Sequence, residues 1–443
     1  MRARESKADS RPFVGESGRE FVGKADRYLT WSAMVVLALL AGFVVGFVVY
    51  LLMNLSGWLT TLIWVGVGQR FHIPAFPLIC CTIGGIVIGV WRAVSHNSID
   101  DLETVMGDFK RTGAYRLDNP LATTVSFLLP LAFGGSIGFE AGLTGIICAG
   151  CCWVRDKLKL AGLRAAGIVD VTIAASLSAI FGAPLAGFVA GLESEGTDTL
   201  SGALPDVDAY NMRREAKFVL YLSAAVGAFG GIVLFNRIFG TSGGFPRFDE
   251  IGATGAEYAW SFVGLVGAYV LLIVFRGVEF GCVRLSRHLD DRGDAATIAK
   301  PVAAGVILGA IALVAPLVLF PGEEQCVELK EGWRHLAPWA LVATGLLKAA
   351  VTAMCIKLGW KGGDLFPCIF AGVALGYGLA AITGADPMLM VCVTTTAFLA
   401  GVTGKPVLTL AILALVFPLR GILWMGLAAV LGSIAPLPPQ LKE

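Results

Sequence analysis

Gly134-Gly-Ser-Ile-Gly-Phe-Glu140-Ala-Gly142 decides how this chain is read. It places four glycines around a carboxylate, and Glu140 is the sole charged residue of the apolar stretch 119–154. An ionisable side chain at membrane depth is costly to bury and functional by default. A helix-capping or interfacial glutamate is the plainer alternative. A second break of the same kind is Gly359-Trp-Lys-Gly-Gly-Asp364-Leu-Phe-Pro367. Each is followed by a glycine and, two residues on, a proline opening an apolar helix: Phe181-Gly-Ala-Pro184-Leu-Ala-Gly187 and Thr403-Gly-Lys-Pro406-Val-Leu-Thr409. Glu140 precedes Pro184 by 44 residues, and Asp364 precedes Pro406 by 42. Matched interruptions in two halves predict inverted-topology repeats, with the binding site where the broken helices meet.

Composition agrees with a membrane setting. Of 443 residues, 56% are hydrophobic and 15% charged, more apolar surface than a soluble domain can cover. Tyr28–Gln69 contains no Asp, Glu, Lys or Arg, and nine further charge-free runs follow, at 71–91, 119–139, 171–192, 218–236, 258–275, 302–322, 365–385, 387–404 and 421–441. About 20 apolar helical residues cross a bilayer, so several of these runs suffice. The expected class is an all-α polytopic membrane protein with broken, tilted helices. Its expected organisation is an N-terminal segment 1–27, a first repeat 28–195, a linker 196–217, a second repeat 218–435 and a tail 436–443. Spans are expected near 301–320 and 337–357 among others, and polar loops at 240–255, 284–300 and 321–336. With so short a tail, no C-terminal soluble domain is expected. Residues 1–27 carry seven Lys/Arg and five Asp/Glu ahead of a run too long for a signal-peptide core. The positive-inside tendency puts this end in the cytoplasm, and the cell membrane is the expected location.

Broken helices suit an anion. A helix start leaves backbone N–H groups unpaired, and the helix dipole adds partial positive charge there. Such a site holds an anion without a buried Lys or Arg, and so lets it leave again. Beside such a path a carboxylate acts as a tethered anion: ionised it fills the site, protonated it swings out. Burial and the helix start act on its titration in opposite senses, so it can titrate in use.

In these motifs the chain resembles the CLC family of chloride channels and chloride–proton exchangers, in the form of a divergent prokaryotic-type member without CBS domains. Gly138-Phe-Glu-Ala-Gly142 looks like that family's GREGP motif, with Glu140 on its gating glutamate. Phe181–Gly187 is similar to its Asn-Ala-Pro-Leu-Ala-Gly stretch, and Glu193 falls on the acidic end of that helix. Gly363-Asp-Leu-Phe-Pro367 resembles GxFxP, and Lys405-Pro406 resembles an Arg-Ala-Pro segment. The likeness covers about residues 28–435. It implies a homodimer with one pathway per subunit, lined by the amides of Gly138, Phe139, Ala141, Asp364 and Leu365. His96-Asn-Ser-Ile-Asp100 falls on the GSGIP motif, so Asn97, or Ser98 under a one-residue shift, would touch the central ion.

The departures bear on coupling. Phe139, Ala141 and Gly142 replace the Arg, second Gly and Pro of GREGP, and residues 421–443 hold no counterpart of the pore tyrosine. Ser194 stands where exchangers carry an inner proton-transfer glutamate, with Glu193 and Glu195 beside it. Asp364 is a second titrating group or a solvated bystander.

The expected function is therefore movement of a halide, chloride first, gated by Glu140 and open to proton coupling. A fluoride exporter and a passive channel are the variants. A scaffold that has lost transport is the non-transport reading, suggested by the missing tyrosine and inner glutamate. An intramembrane hydrolase using Glu140 and Asp364 lacks a matched Ser, His or metal set, so no enzyme is expected. A net charge of +1 gives no bias toward nucleic acid. The four histidines are scattered, so neither metal nor cofactor is expected. The ten cysteines read as buried thiols. Lys348 in an apolar helix would either snorkel to an interface or set the potential near the pathway. Partners would be a halide, protons, the bilayer and a second copy of the chain.

Overall fold

A computed structural model describes residues 16–70, 73, 75–97, 99–101, 104–105, 107–108, 112, 115–160, 175, 214–240, 246–290, 294–414 and 416–441. Ser98, Glu193, Ser194 and the Phe181–Gly187 motif lie outside these residues. In the first half, α1 (Glu16–Thr61) continues into a π-helical stretch, Leu62–Gln69. Then come α2 (Phe76–Ser95), α3 (Pro120–Ala132) and α4 (Glu140–Leu160). The second half holds α5 (Arg214–Phe239), α6 (Ser261–Asp290), α7 (Asp294–Ala312), α8 (Glu323–Gly332), α9 (Pro338–Lys357), α10 (Leu365–Thr383), α11 (Pro387–Thr403), α12 (Pro406–Leu413) and α13 (Ile422–Ser433).

Seven helical segments among the described residues are long and apolar enough to cross a membrane. The protein is an integral, multi-pass membrane protein. Two kinds of helix make it up. The helices α10 and α11 are buried along nearly their whole length, and apolar residues all round let them form the core. The helices α1, α2, α5 and α6 turn exposed Leu, Val, Ile and Phe outward, the face a helix offers to lipid.

Lipid gives apolar helices no hydrophobic reason to associate, so close backbone packing must do it. Gly42 and Gly46 of α1 lie against the backbones of Ala224 and Ala228 on α5, and Gly227 lies against Leu39. Phe235 packs among Phe43, Phe47 and Tyr50 at the same contact. Gly85 and Gly89 of α2 meet Pro301 and Ile298 of α7, while Gly305 and Gly309 of α7 meet Cys81 and Leu78 of α2. Both contacts join a helix of the first half to one of the second.

Several boundaries differ from expectation. Helix α1 begins at Glu16, within the segment set aside as 1–27, and α5 begins at Arg214, within 196–217. Charged residues extend both helices beyond their apolar runs. The polar stretch 284–300 is largely the end of α6 and the start of α7. The span expected at 301–320 is shifted: α7 starts at Asp294 and stops at Ala312. Pro316 then opens a single 3-10 turn, and Phe320 takes φ 62°, a left-handed conformation that ends the run. The loop 321–336 contains α8, which buries Gln325, Cys326 and Leu329 and exposes its other charged face.

The turn after α7 explains Lys348. Its side chain is fully buried and does not snorkel. Its ammonium donates to the carbonyls of Val318 at 3.0 Å, Leu319 at 3.0 Å and Phe320 at 2.5 Å, beneath the ring of Phe370. Three carbonyls match the three donors of an ammonium. The amide of Phe320 in turn donates to Gly134 O, where the first-half break begins.

Two stability outcomes follow. Gly305→Ala forces a methyl onto the Cys81 carbonyl and should lower the thermal unfolding temperature in detergent by the equivalent of about 1–3 kcal/mol. Gly277→Ala, on an open face, should leave that temperature unchanged or slightly raised. Lys348→Met removes the donor from three buried carbonyls, and the same assay should show a loss on the order of 3 kcal/mol.

Candidate functional site

The two breaks meet face to face. Gly138 N–H donates to Gly363 O at 2.7 Å, and Gly363 N–H donates to Gly138 O at 3.0 Å, an antiparallel bridge of one residue pair. Each helix then starts two residues beyond its bridge glycine, α4 at Glu140 and α10 at Leu365. The bridge thus places two helix N-termini beside each other within the protein. The two glycines leave room for the carboxylate, since a methyl at either would overlap Glu140 where it now lies. Ile137 fills the space beside Gly362, and Ser136 Oγ lies 2.9 Å from Thr352 Oγ1.

Glu140 is 1% exposed, and its Oε1 accepts the backbone N–H of Leu365 at 2.6 Å. A carboxylate of one half therefore lies on the first amide of the broken helix of the other. This is the helix-start position where an anion is stabilised by unpaired amides and the helix dipole. Oε2 of Glu140 is enclosed and has no hydrogen-bond partner among the described residues. Phe139 and Phe366, each next in sequence to a residue of this contact, meet edge-on at 5.8 Å, and Phe127 adds a third ring 6.4 Å from Phe139.

The structure brings Gly138, Phe139, Glu140, Ala141, Asp364 and Leu365 together around this bridge. It does not leave all their amides equal. The Gly138 N–H is committed to Gly363 O and does not point into open space, unlike its expected part in the lining. With Gly138 paired to Gly363, Leu365 stands as far beyond its bridge glycine as Glu140 does beyond its own. Asp364 precedes α10, is half-buried and makes no side-chain cap to that helix. It lies in reach of the charges of Arg276 and Glu279, themselves paired at 2.7 Å, with Lys357 on Glu279 at 2.9 Å.

Asn97 lies just beyond the left-handed turn at His96 that ends α2. Its Oδ1 accepts from Thr123 Oγ1 at 3.2 Å. Its side chain faces a small enclosed cavity that it shares with Arg92, Ser126, Gly359 and Lys361, at the start of the second break. Arg92 and Lys361 were not singled out from sequence, because each stands next to an apolar run rather than inside one. No group of three or more His, Cys, Asp or Glu side chains able to hold a metal ion occurs among the described residues.

Comparisons with known proteins bear on the family and the fold. Residues 94–436 match the family described as voltage gated chloride channel. A curated relative, chloride channel protein CLC-e of Arabidopsis thaliana, is 24% identical over 389 residues, which are 78% of this chain and 51% of that protein. The chain thus spans about half the length of that relative. Among solved structures, a CLC-type fluoride/proton antiporter superposes with a TM-score of 0.66 at 17% identity, covering 92% of this chain and 96% of that one. A slow cyanobacterial Cl−/H+ antiporter superposes with a TM-score of 0.68 at 16% identity, covering 90% and 94%. A eukaryotic CLC transporter gives 0.66 at 16% identity, covering 94% and 73%. These structures share its fold, and with a family match across most of its length the chain belongs to the voltage-gated chloride channel family.

Proposed function

We propose that this protein moves a halide, chloride first, across the cell membrane, with Glu140 as a tethered anion that competes with the ion for the start of α10. One observation carries this reading: the Glu140 carboxylate on the Leu365 amide. Charge-assisted hydrogen bonds to a helix start are among the strong ones, yet a chloride of like charge can take the same donors. Once Glu140 takes a proton it loses the charge that holds it there. It then yields the amide to the halide, and returns when the proton leaves. Each cycle so described links one protonation to one opening of the site, which is the chemistry a halide–proton exchanger needs. The family membership and two relatives titled as halide/proton antiporters support coupling.

The Phe139–Phe366 pair sets apolar surface next to the two helix starts, and a low-polarity setting strengthens the electrostatics of a site built from amides. Asn97, with Arg92 and Lys361 beside it, stands toward the start of the second break and suits a waiting position for the ion. Each protomer of a homodimer would hold its own pathway, with its N-terminus in the cytoplasm. Fluoride is the second substrate to try, since one solved relative is a fluoride/proton antiporter.

The experiment is flux from liposomes loaded with chloride and then with fluoride. The wild-type protein should release halide faster as the medium is acidified, and Glu140→Gln, which cannot ionise, should flatten that pH dependence. A halide electrode reads the flux, and a pH electrode separates exchange from passive conduction. No halide release under any gradient would favour the scaffold reading.

A further inference from the structure

Glu323 is a half-buried carboxylate, one oxygen of it enclosed, that the proposed gate does not use. It opens α8, directly after Gly322 at φ 114°. Its Oε1 is enclosed and has no hydrogen-bond partner among the described residues, while the neighbouring Glu324 is exposed. The helix that follows is polar on its outer side, where Lys330 pairs with Asp249 at 3.0 Å. Glu323 therefore stands at the boundary between a charged surface and the apolar core.

That boundary adjoins the gate. A methyl on Gly322 would touch the Phe370 side chain and come within 3.6 Å of the Phe366 carbonyl. Phe366 is in the first turn of α10, immediately after the Leu365 amide that Glu140 occupies. Glu323 thus follows a residue packed on the helix turn that Glu140 occupies, and its charge reaches the Glu140 carboxylate. Each has one enclosed oxygen without a partner. A buried carboxylate oxygen with no donor is costly unless the group carries a proton or passes one on. The charged and titratable groups that interact with Glu323 are Glu324 and Cys326 on its own helix and Glu140 from α4. Lys348 is fully engaged by the carbonyls of residues 318–320 and gives Glu323 no hydrogen bond.

We propose that Glu323 is the proton-transfer group that connects the aqueous surface at α8 with Glu140. A proton passes from the Glu323 carboxyl to the Glu140 carboxylate; the Glu323 carboxylate left behind is reprotonated from water on the Glu324 side. Burial and the adjacent Glu324 charge push Glu323 up to about 8, so it holds a proton at neutral pH and still exchanges it. Delivery is then present below about pH 8 and fades as the pH at the α8 face rises through that value.

This inference rests on the halide reading, and one assay tells the two apart. Purified protein in liposomes is given a chloride gradient, and halide and proton movement are recorded together for wild type, Glu323→Gln and Glu323→Asp. Glu323→Gln should lower protons moved per halide by about 100-fold, while Glu323→Asp, which keeps a carboxyl group, should restore most of it. Thermal unfolding in detergent verifies that both variants are folded; should Glu323→Gln not fold, a shifted pH midpoint in Glu323→Asp is the expected sign. An unchanged proton-to-halide ratio in Glu323→Gln, or an unshifted midpoint where only Glu323→Asp folds, overturns the assignment and leaves the halide reading standing. Wild-type halide flux with no proton movement and no pH response does the same. A wild type that moves no halide overturns both.

Discussion

Two glycine amides and two glycine carbonyls, exchanged between Gly138 and Gly363, hold the site together. In lipid a broken helix is tolerated only where its freed backbone groups find partners inside the protein. Each break here satisfies the other. The bridge fixes the starts of α4 and α10 side by side, and it leaves the Leu365 amide to face the Glu140 carboxylate. Any side chain at either glycine would displace that carboxylate. The position of the Glu140 carboxylate therefore follows from backbone pairing rather than from a salt bridge.

Around this pair the protein is organised by distance from the core. Glycine-lined contacts, α1 with α5 and α2 with α7, bring helices of the two halves within backbone contact. The Lys348 ammonium gathers the carbonyls of residues 318–320, and Phe320 passes the constraint to Gly134 through its amide. A buried cation this well solvated by carbonyls serves as a clamp on the turn that leads from α7 to α8. The same turn sets Gly322 against the first turn of α10, so the clamp also positions Glu323.

Much of this was legible in the sequence. Charge-free runs gave the membrane class, and the two glycine-rich breaks, with Glu140 alone inside one, gave the meeting point. Other features were hidden for physical reasons. Which residue of one break faces which of the other is a matter of backbone pairing, and periodicity says nothing about it, so the contact of Glu140 with the Leu365 amide was not legible. The pairing of the Gly138 amide was invisible for the same reason. The sequence leaves Lys348 between snorkelling and setting the potential near the pathway, because its partners are carbonyls about 30 positions away with no side-chain signature. Glu323 lay in a stretch so polar that it read as a loop, yet one turn of it packs against the core.

The account stands on the claim that a halide and the Glu140 carboxylate compete for one helix start. The most direct measurement is an anomalous difference map from crystals of the Glu140→Gln protein grown in bromide. A bromide peak within hydrogen-bonding distance of the Leu365 amide is expected. Bromide held elsewhere by lysine or arginine side chains, with that amide empty, would contradict it.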